Sequence, residues 1–376
     1  MTKNSSNRYE FYFLKDLYMS ISFYELGDII MKKNTRKLGI SRMLAAIIAV
    51  VIVIAAIAVG LGYYYYSSSQ PSPTTISPIS TTPITIGAVS ASNPNMAAWA
   101  FIEFKIPSII KQYDPNINLE DFPAGSPAVI HAVESGSVQI GIAGPDAITV
   151  AISQGAPLVI VATFRETPFI RGIEVRADSN ITTLNQLNGT TAAVLAPGSL
   201  DDIALRILEI NYHLKFKRVY VGSASAGIAS VLSGSATFAF LVPFDALKAV
   251  ESGKLKIIYN YTFQWPAYSI FTTRSFLQQN PTAVKAAVMA LLKGNQIYEE
   301  NQNNETVNFL INYYKDIMSP SDAVQLFKII KFSTNGAINA TALQILINTY
   351  IALNIITNTT ITAKDVYTDQ FVPVVS

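Results

Sequence analysis

The chain has no cysteine among its 376 residues, which excludes disulfides, thiolate nucleophiles and cysteine-ligated metals outright. Histidine is nearly as scarce. His131 falls in a helical stretch and His213 in a polar loop, and neither has a partner at metal-ligand spacing. No metal and no cofactor is expected. Charged residues make up only 14% of the chain, the formal net charge is +2, and the part beyond residue 66 contains no basic run. Nothing there points to nucleic acid.

Apolar residues, by contrast, are half of the total. Met43 to Tyr66 (MLAAIIAVVIVIAAIAVGLGYYYY) runs 24 residues without a charge. As a helix it would span about 36 Å, enough to cross a hydrocarbon core of about 30 Å. A single-pass transmembrane helix is therefore expected over 43–66. Lys32, Lys33, Arg36, Lys37 and Arg42 precede it, and Tyr63 to Tyr66 suit an interfacial belt. This places residues 1–42 inside the cell and the bulk of the chain outside the cell membrane. A core helix and a cleaved signal are the alternatives. The apolar region is longer than the ~7 to 15 residues of a secretory signal, which favours a retained anchor. Residues 67–83, rich in Ser, Thr and Pro, read as an extended linker reaching on the order of 50 Å. Sequons at Asn180, Asn188, Asn260, Asn304, Asn339 and Asn358 are consistent with an outside location.

Beyond the linker one stretch is written twice. SGSVQIGIAGP (Ser135 to Pro145) returns 98 positions later as SGSATFAFLVP (Ser233 to Pro243). Each copy is a polar turn, a strand-length apolar run and a proline that opens the next element, and each follows a helical segment. The unit is half of a βαβ motif, and two copies fit two α/β lobes, each built on a mostly parallel sheet. Strands are expected at Ile84 to Val89, Pro157 to Phe164 and Thr191 to Ala196, and apolar helices at Met96 to Gln112 and Leu200 to Ile210. Two crossings between lobes, near 170–175 and 264–271, describe a hinge. Lobe 1 takes 84–172 first, lobe 2 takes 173–264, and 265–376 returns to lobe 1 with C-terminal helices.

Three ordered blocks carry a resemblance: DFPAGSPAVIHAVESGSVQIGIAGPDAITVAISQGAPLVIVATF, VRADSNITTLNQLNGTTAAVLAPGS and NPTAVKAAVMALLKGNQIYEEN. Together they resemble the substrate-binding proteins of nitrate, sulfonate, taurine and thiamine-precursor ABC transporters. RKLGISRML (Arg36 to Leu44) resembles the class III, pilin-like signal of archaeal surface binding proteins, apart from Leu38 standing before Gly39 where that pattern has a charge. The resemblance implies a type II periplasmic-binding-protein fold, two α/β lobes closing around a ligand. It also implies a non-enzymatic receptor, a monomer whose partners are a small-molecule ligand, an ABC permease and its ATPase. The alternatives are a sensor ectodomain, for which some 40 inner residues are few, and an enzyme like the thiamine-pyrimidine synthases, whose cysteine-rich segment is missing here.

In open parallel sheets ligands bind beyond the carboxyl ends of strands, where helix starts offer free N–H groups. Four loops meet that description: Ser90, Ala91 and Ser92 with Asn93; Gly144, Pro145 and Asp146; Gly198 and Ser199; and Pro243, Phe244 and Asp245. Ser126 is a fifth candidate. The serines could equally cap their helices and the glycines make turns, and Asp146 and Asp245 suit caps better than an anion contact. Trp99 and Phe244 could stack on a flat ligand or belong to the core. Arg165 and Arg171 flank the first crossing, where a guanidinium could clamp a sulfonate or carboxylate, or pair with Glu166 or Glu174.

Overall fold

Each copy of the repeat closes the same turn. The Ser135 and Ser137 hydroxyls both donate to the Ala132 carbonyl, as does the Val138 N–H, and Gly136 takes a φ of 78°. The second copy repeats this on the Ser230 carbonyl, with Ser233, Ser235 and Ala236 donating and Gly234 at φ 80°. Glycine alone reaches that φ without strain. The apolar runs that follow are fully buried strands, and Pro145 and Pro243 each stand in the first turn of the next helix, where a missing N–H costs nothing.

The computed structural model describes residues 83–301, 304–316 and 319–375. The expected segments 1–42 and 43–66, and the linker 67–83 apart from Pro83, lie outside them. Among the described residues no helix is long and apolar enough to cross a membrane. The first lobe opens with β1 (Ile84–Val89), α1 (Ala97–Ala100), α2 (Pro107–Tyr113), β2 (Ile117–Phe122), α3 (Ser126–Glu134), β3 (Ile140–Ala143), α4 (Pro145–Ser153) and β4 (Leu158–Arg165). The second holds β5 (Ile170–Arg176), β6 (Thr191–Val194), α5 (Leu200–Tyr212), β7 (Lys217–Tyr220), α6 (Ala224–Ser233), β8 (Phe238–Leu241), α7 (Pro243–Glu251) and β9 (Leu255–Thr262). The chain then returns through β10 (Tyr268–Thr273) to α8 (Arg274–Gln279), α9 (Pro281–Glu300), α10 (Asn304–Tyr313), α11 (Pro320–Ile329), β11 (Ile338–Asn339), α12 (Ala340–Ala352) and β12 (Val374–Val375).

The two large sheets have one plan. Their orders are β2-β1-β3-β10-β4 and β7-β6-β8-β5-β9. In each, three parallel strands are followed by one antiparallel strand, β10 or β5, contributed after a crossing. The repeated stretches β3 and β8 occupy the central slot of their sheets, so the sequence is written twice because two equivalent positions demand it. Both strands are buried, as strands covered on both faces must be.

Two expectations shift in detail. The apolar stretch 96–112 is not one helix: a π turn closes from the Ile106 N–H to the Phe101 carbonyl at 3.0 Å, and helix restarts at Pro107. Proline has no N–H to continue the earlier turn and its ring would strike it. The crossings fall at 166–169 and 263–267, earlier than expected, because 170–176 is already a strand of the second sheet. Gly172 lies inside that strand, where a Cβ would stand 2.1 Å from Glu174 Oε1. Its missing side chain leaves room for a carboxyl group and does not loosen a hinge. The crossings are joined by Phe263 N–H to Phe169 O at 3.0 Å and Ala267 N–H to Arg165 O at 3.2 Å.

Candidate functional site

Parallel strands of both lobes end at one cleft, and the crossings form its floor. Arg165 closes β4 and is 3% exposed. Its Nη1 donates to Asn95 Oδ1 at 2.8 Å and more weakly to Asn95 O, while Nε is buried with no partner. Among the described residues no carboxylate lies within 4.0 Å of it. Burial lowers its guanidinium to about 10, and the Arg171 charge adds to this while the Tyr268 and Tyr298 hydroxyls oppose it. Arg171 opens β5 and is committed elsewhere, with Nε donating to Asp201 Oδ1 at 2.5 Å and Nη1 to Ile170 O at 3.0 Å. The two guanidiniums lie 5.2 and 5.4 Å from the Phe169 ring, which packs edge-on against Tyr268.

The anticipated pairing of Arg171 with Glu174 does not form. Residues three apart on a strand face opposite ways: Arg171 reaches Asp201 of α5, and the Glu174 carboxyl lies beside Gly172. Glu174 is fully buried and neither carboxyl oxygen has a hydrogen-bond partner. Burial pushes it up to about 8, with the Asp201 and Asp245 charges adding. The Leu241 and Glu174 amides pull it down only partly, since neither completes a hydrogen bond.

The walls differ from the expectation of free helix starts, because carboxylates of the chain itself occupy them. After β1, the Ala91 N–H donates to Asp121 Oδ1 at 2.7 Å, the Ser90 hydroxyl to Oδ2 at 3.0 Å, and Trp99 Nε1 to Oδ1 at 3.1 Å. Ser90 and Ala91 are buried and Ser92 is exposed. Trp99 is wholly buried behind this loop and cannot stack on a ligand. At α4, Gly144 and Pro145 are buried and the half-buried Asp146 carboxyl sits over its own first turn, where it accepts from Tyr350 at 3.3 Å. Burial raises it, and the Ala147 and Asp146 amides, Tyr350 and Arg171 oppose that. At α5, Ser199 is an N-cap that accepts from the Asp202 N–H at 3.3 Å, while Gly198 N–H donates to Asp202 Oδ2 at 3.1 Å. Asp245 is exposed in the first turn of α7 beside Pro243, and burial of its surroundings raises it against the pull of Arg171. The Phe244 side chain lies outside the described residues.

Ser126 does something different. It stands at the first turn of α3, following Gly125, and its hydroxyl accepts from Gly144 N–H at 3.1 Å, tying two wall loops together. His131 and His213 lie apart, in the last turn of α3 and at the end of α5. Among the described residues no group of three or more His, Cys, Asp or Glu could hold a metal.

The order of elements and the paired sheets agree with one family. The profile described as NMT1/THI5 like matches residues 117–305, from β2 into α10. The chain belongs to the NMT1/THI5-like family. Among solved structures it is similar to the Candida albicans CA3427 gene product, described as having the generic periplasmic binding protein structural fold (16% identity, TM-score 0.63, 78% of this chain and 99% of that one). It is also similar to a putative periplasmic sulfonate-binding protein SsuA from Methylobacillus flagellatus (20%, 0.61, 77% and 92%). A third is the periplasmic nitrate-binding protein NrtA from Synechocystis (16%, 0.58, 76% and 85%). At these identities the likeness is one of fold, the mixed α/β periplasmic-binding-protein fold with two sheets. No curated protein sequence matches the chain.

Several site residues carried little or no signal in sequence. Asp121, Asp201, Phe169, Tyr268 and Tyr350 reach the cleft only because the sheets bring distant segments together. Asp201 alone gives a hint, as an acid in a helix's first turn beside a cap.

Proposed function

We propose that this NMT1/THI5-like protein is the solute-binding component of an ABC importer, non-catalytic, a monomer held on the outer face of the cell membrane by a helix over 43–66. It captures a small organic anion between its lobes and hands it to a permease driven by its ATPase. The observation that carries this reading is Arg165, a guanidinium buried at the cleft floor with a free Nε and, among the described residues, no carboxylate partner. A buried cation without a counterion is costly, and an entering sulfonate or carboxylate would remove that cost with charge-assisted hydrogen bonds. The sulfonate- and nitrate-binding proteins of similar fold support an oxyanion group in the ligand. The absence of cysteine supports a receptor over an enzyme like the thiamine-pyrimidine synthases. Closure about the paired crossings would present a changed surface to the permease.

Thermal unfolding of the full-length chain against small sulfonates, carboxylates, nitrate, pyrimidines and riboflavin tests this. A ligand at a hundredfold over its Kd adds about 2.7 kcal/mol. A shift with an acid that disappears in Arg165→Gln is expected. A shift only with neutral compounds would remove the reading.

A further inference from the structure

The crossings border a second space besides the cleft. A cavity of about 340 Å³, at the small end of ligand sites, is lined by Glu166 of the first crossing, Gln264 and Trp265 of the second, Thr163 of β4, and Asn335 and Asn339 ahead of α12. None of the cleft residues contributes to it. Its walls are held by the backbone: the Thr163 N–H donates to Gly336 O at 2.9 Å, the Glu166 N–H to Lys331 O at 3.1 Å, and the Ala267 N–H to Arg165 O at 3.2 Å. Gly336, at φ 70°, is packed so closely that a Cβ would stand 2.8 Å from Val372 and 2.9 Å from Leu292. The space is built into the fold before anything enters it.

Its polar groups are left unengaged. Thr163 is 3% exposed and Trp265 2%, yet among the described residues neither the Thr163 hydroxyl nor Trp265 Nε1 makes a hydrogen bond. Buried polar groups ordinarily have partners. The Glu166 carboxylate and the Gln264 amide are equally unengaged among the described residues. Asn335 and Asn339 turn their side-chain oxygens to the Ala337 and Ala342 N–H groups, at 2.9 and 2.8 Å, which leaves both amide nitrogens free to donate.

This set of groups decides the class of ligand. No Lys, Arg or His lines the cavity, so an anion would meet the Glu166 charge with no cation to offset it. Three amides and an indole N–H surround that one exposed carboxylate, so a cation would meet mostly donors. A hydroxyl group both donates and accepts, and neighbouring hydroxyls on one molecule can use the amides and the carboxylate together. Pro168, Pro266, Ala337 and Ala342 complete the walls with apolar surface for the C–H faces of such a molecule. We propose that the cavity beside the crossings binds a small neutral polyhydroxy compound, a single sugar ring or a sugar alcohol. Glu166 and Gln264 accept from its hydroxyls, and the Asn335 and Asn339 amides donate to them. The site is separate from the solute cleft and holds whichever solute the cleft takes. One occupant touches both crossings, so their amides should exchange with solvent more slowly when it is bound.

Calorimetry on the full-length chain in detergent tests this with glycerol, inositol, ribose, glucose, galactose and mannose. At least one should bind, and Glu166→Ala and Gln264→Ala should each weaken that binding about fivefold or more, as the loss of a hydrogen bond or two requires. Both side chains are exposed, so the variants are expected to fold, and their unfolding midpoints check that. The matching acid, glucuronate for glucose or glycerate for glycerol, should bind about tenfold more weakly, since its charge would stand against Glu166. Hydrogen exchange should slow at 166–169 and 263–267 in the bound state. Binding by none of the compounds overturns the site. Binding that both variants leave unchanged, or that leaves exchange at the crossings unchanged, puts the compound elsewhere and overturns it as well. An acid that binds as tightly as its neutral counterpart overturns the neutral class. None of these outcomes bears on the anion at Arg165, whose test is separate.

Discussion

Replacing Glu174 by glutamine should make the protein's stability less sensitive to alkali. The carboxyl group is carried from 4.5 to about 8 by burial, so the folded state holds its proton more tightly than the unfolded chain does. The advantage of the acid form is complete below pH 4.5 and is lost as pH rises through 8. Integrated between those values, the loss is about 1 kcal/mol at pH 5 and about 5 kcal/mol at pH 8.5. Glutamine has nearly the same shape and does not titrate here. Any cost of its amide in that pocket is a constant offset. Stability of the two proteins should therefore diverge by about 4 kcal/mol between pH 5 and 8.5 in favour of Glu174→Gln. Urea unfolding followed by the fluorescence of the buried Trp99 and Trp265 measures this. A difference that stays flat across that range would mean Glu174 ionises in the fold without penalty, and the account of burial holding its proton would be wrong.

Other perturbations reach other parts of the molecule. Gly141→Ala places a Cβ 2.3 Å from the Phe271 ring and should cost about 1 to 3 kcal/mol of stability in urea titrations; a neutral result would show that β10 yields easily. Ser199→Ala removes an N-cap and should cost about 1 kcal/mol with ligand affinity unchanged, whereas a large affinity loss would make the serine a contact. Asp121→Asn weakens the bonds from Ala91, Ser90 and Trp99 and removes a charge that helps hold Glu103 up at about 7. Carboxyl NMR titration should then find Glu103 at a lower value, and no movement would exclude the coupling.

The fold was legible because its evidence is local. The SGS turns, the buried runs and the prolines at helix starts each follow from a few consecutive residues, and their repetition exposes the two-lobe plan. Where the reading slipped, a local sign had two meanings. The stretch 170–175 read as a crossing and is already a strand of the second sheet; the apolar run 96–112 read as one helix until Pro107 is counted. The site was harder. Position along the chain was enough to single out Arg165 and Arg171, since both flank a crossing. Nothing local tells that Arg171 takes Asp201 while Arg165 takes no acid among the described residues, because that choice depends on where β4 and β5 place the two side chains and on a helix start 30 residues beyond Arg171. The same holds for Asp121, which fills the Ala91 amide from a neighbouring strand.

The second lobe begins and ends on partners, Ile170 opposite Thr262, and the first lobe's open ends, Arg165 and Tyr268, are partners too. One lobe is therefore a cassette set into the other through a single doorway. For the first lobe to complete its sheet, β10 must find β4 across everything between them, a long loop for an unfolded chain to close. Once the cassette has folded on its own contacts, its ends deliver those two strands side by side and the long closure has become a short one. The connectivity therefore predicts an order of assembly, inner lobe before outer.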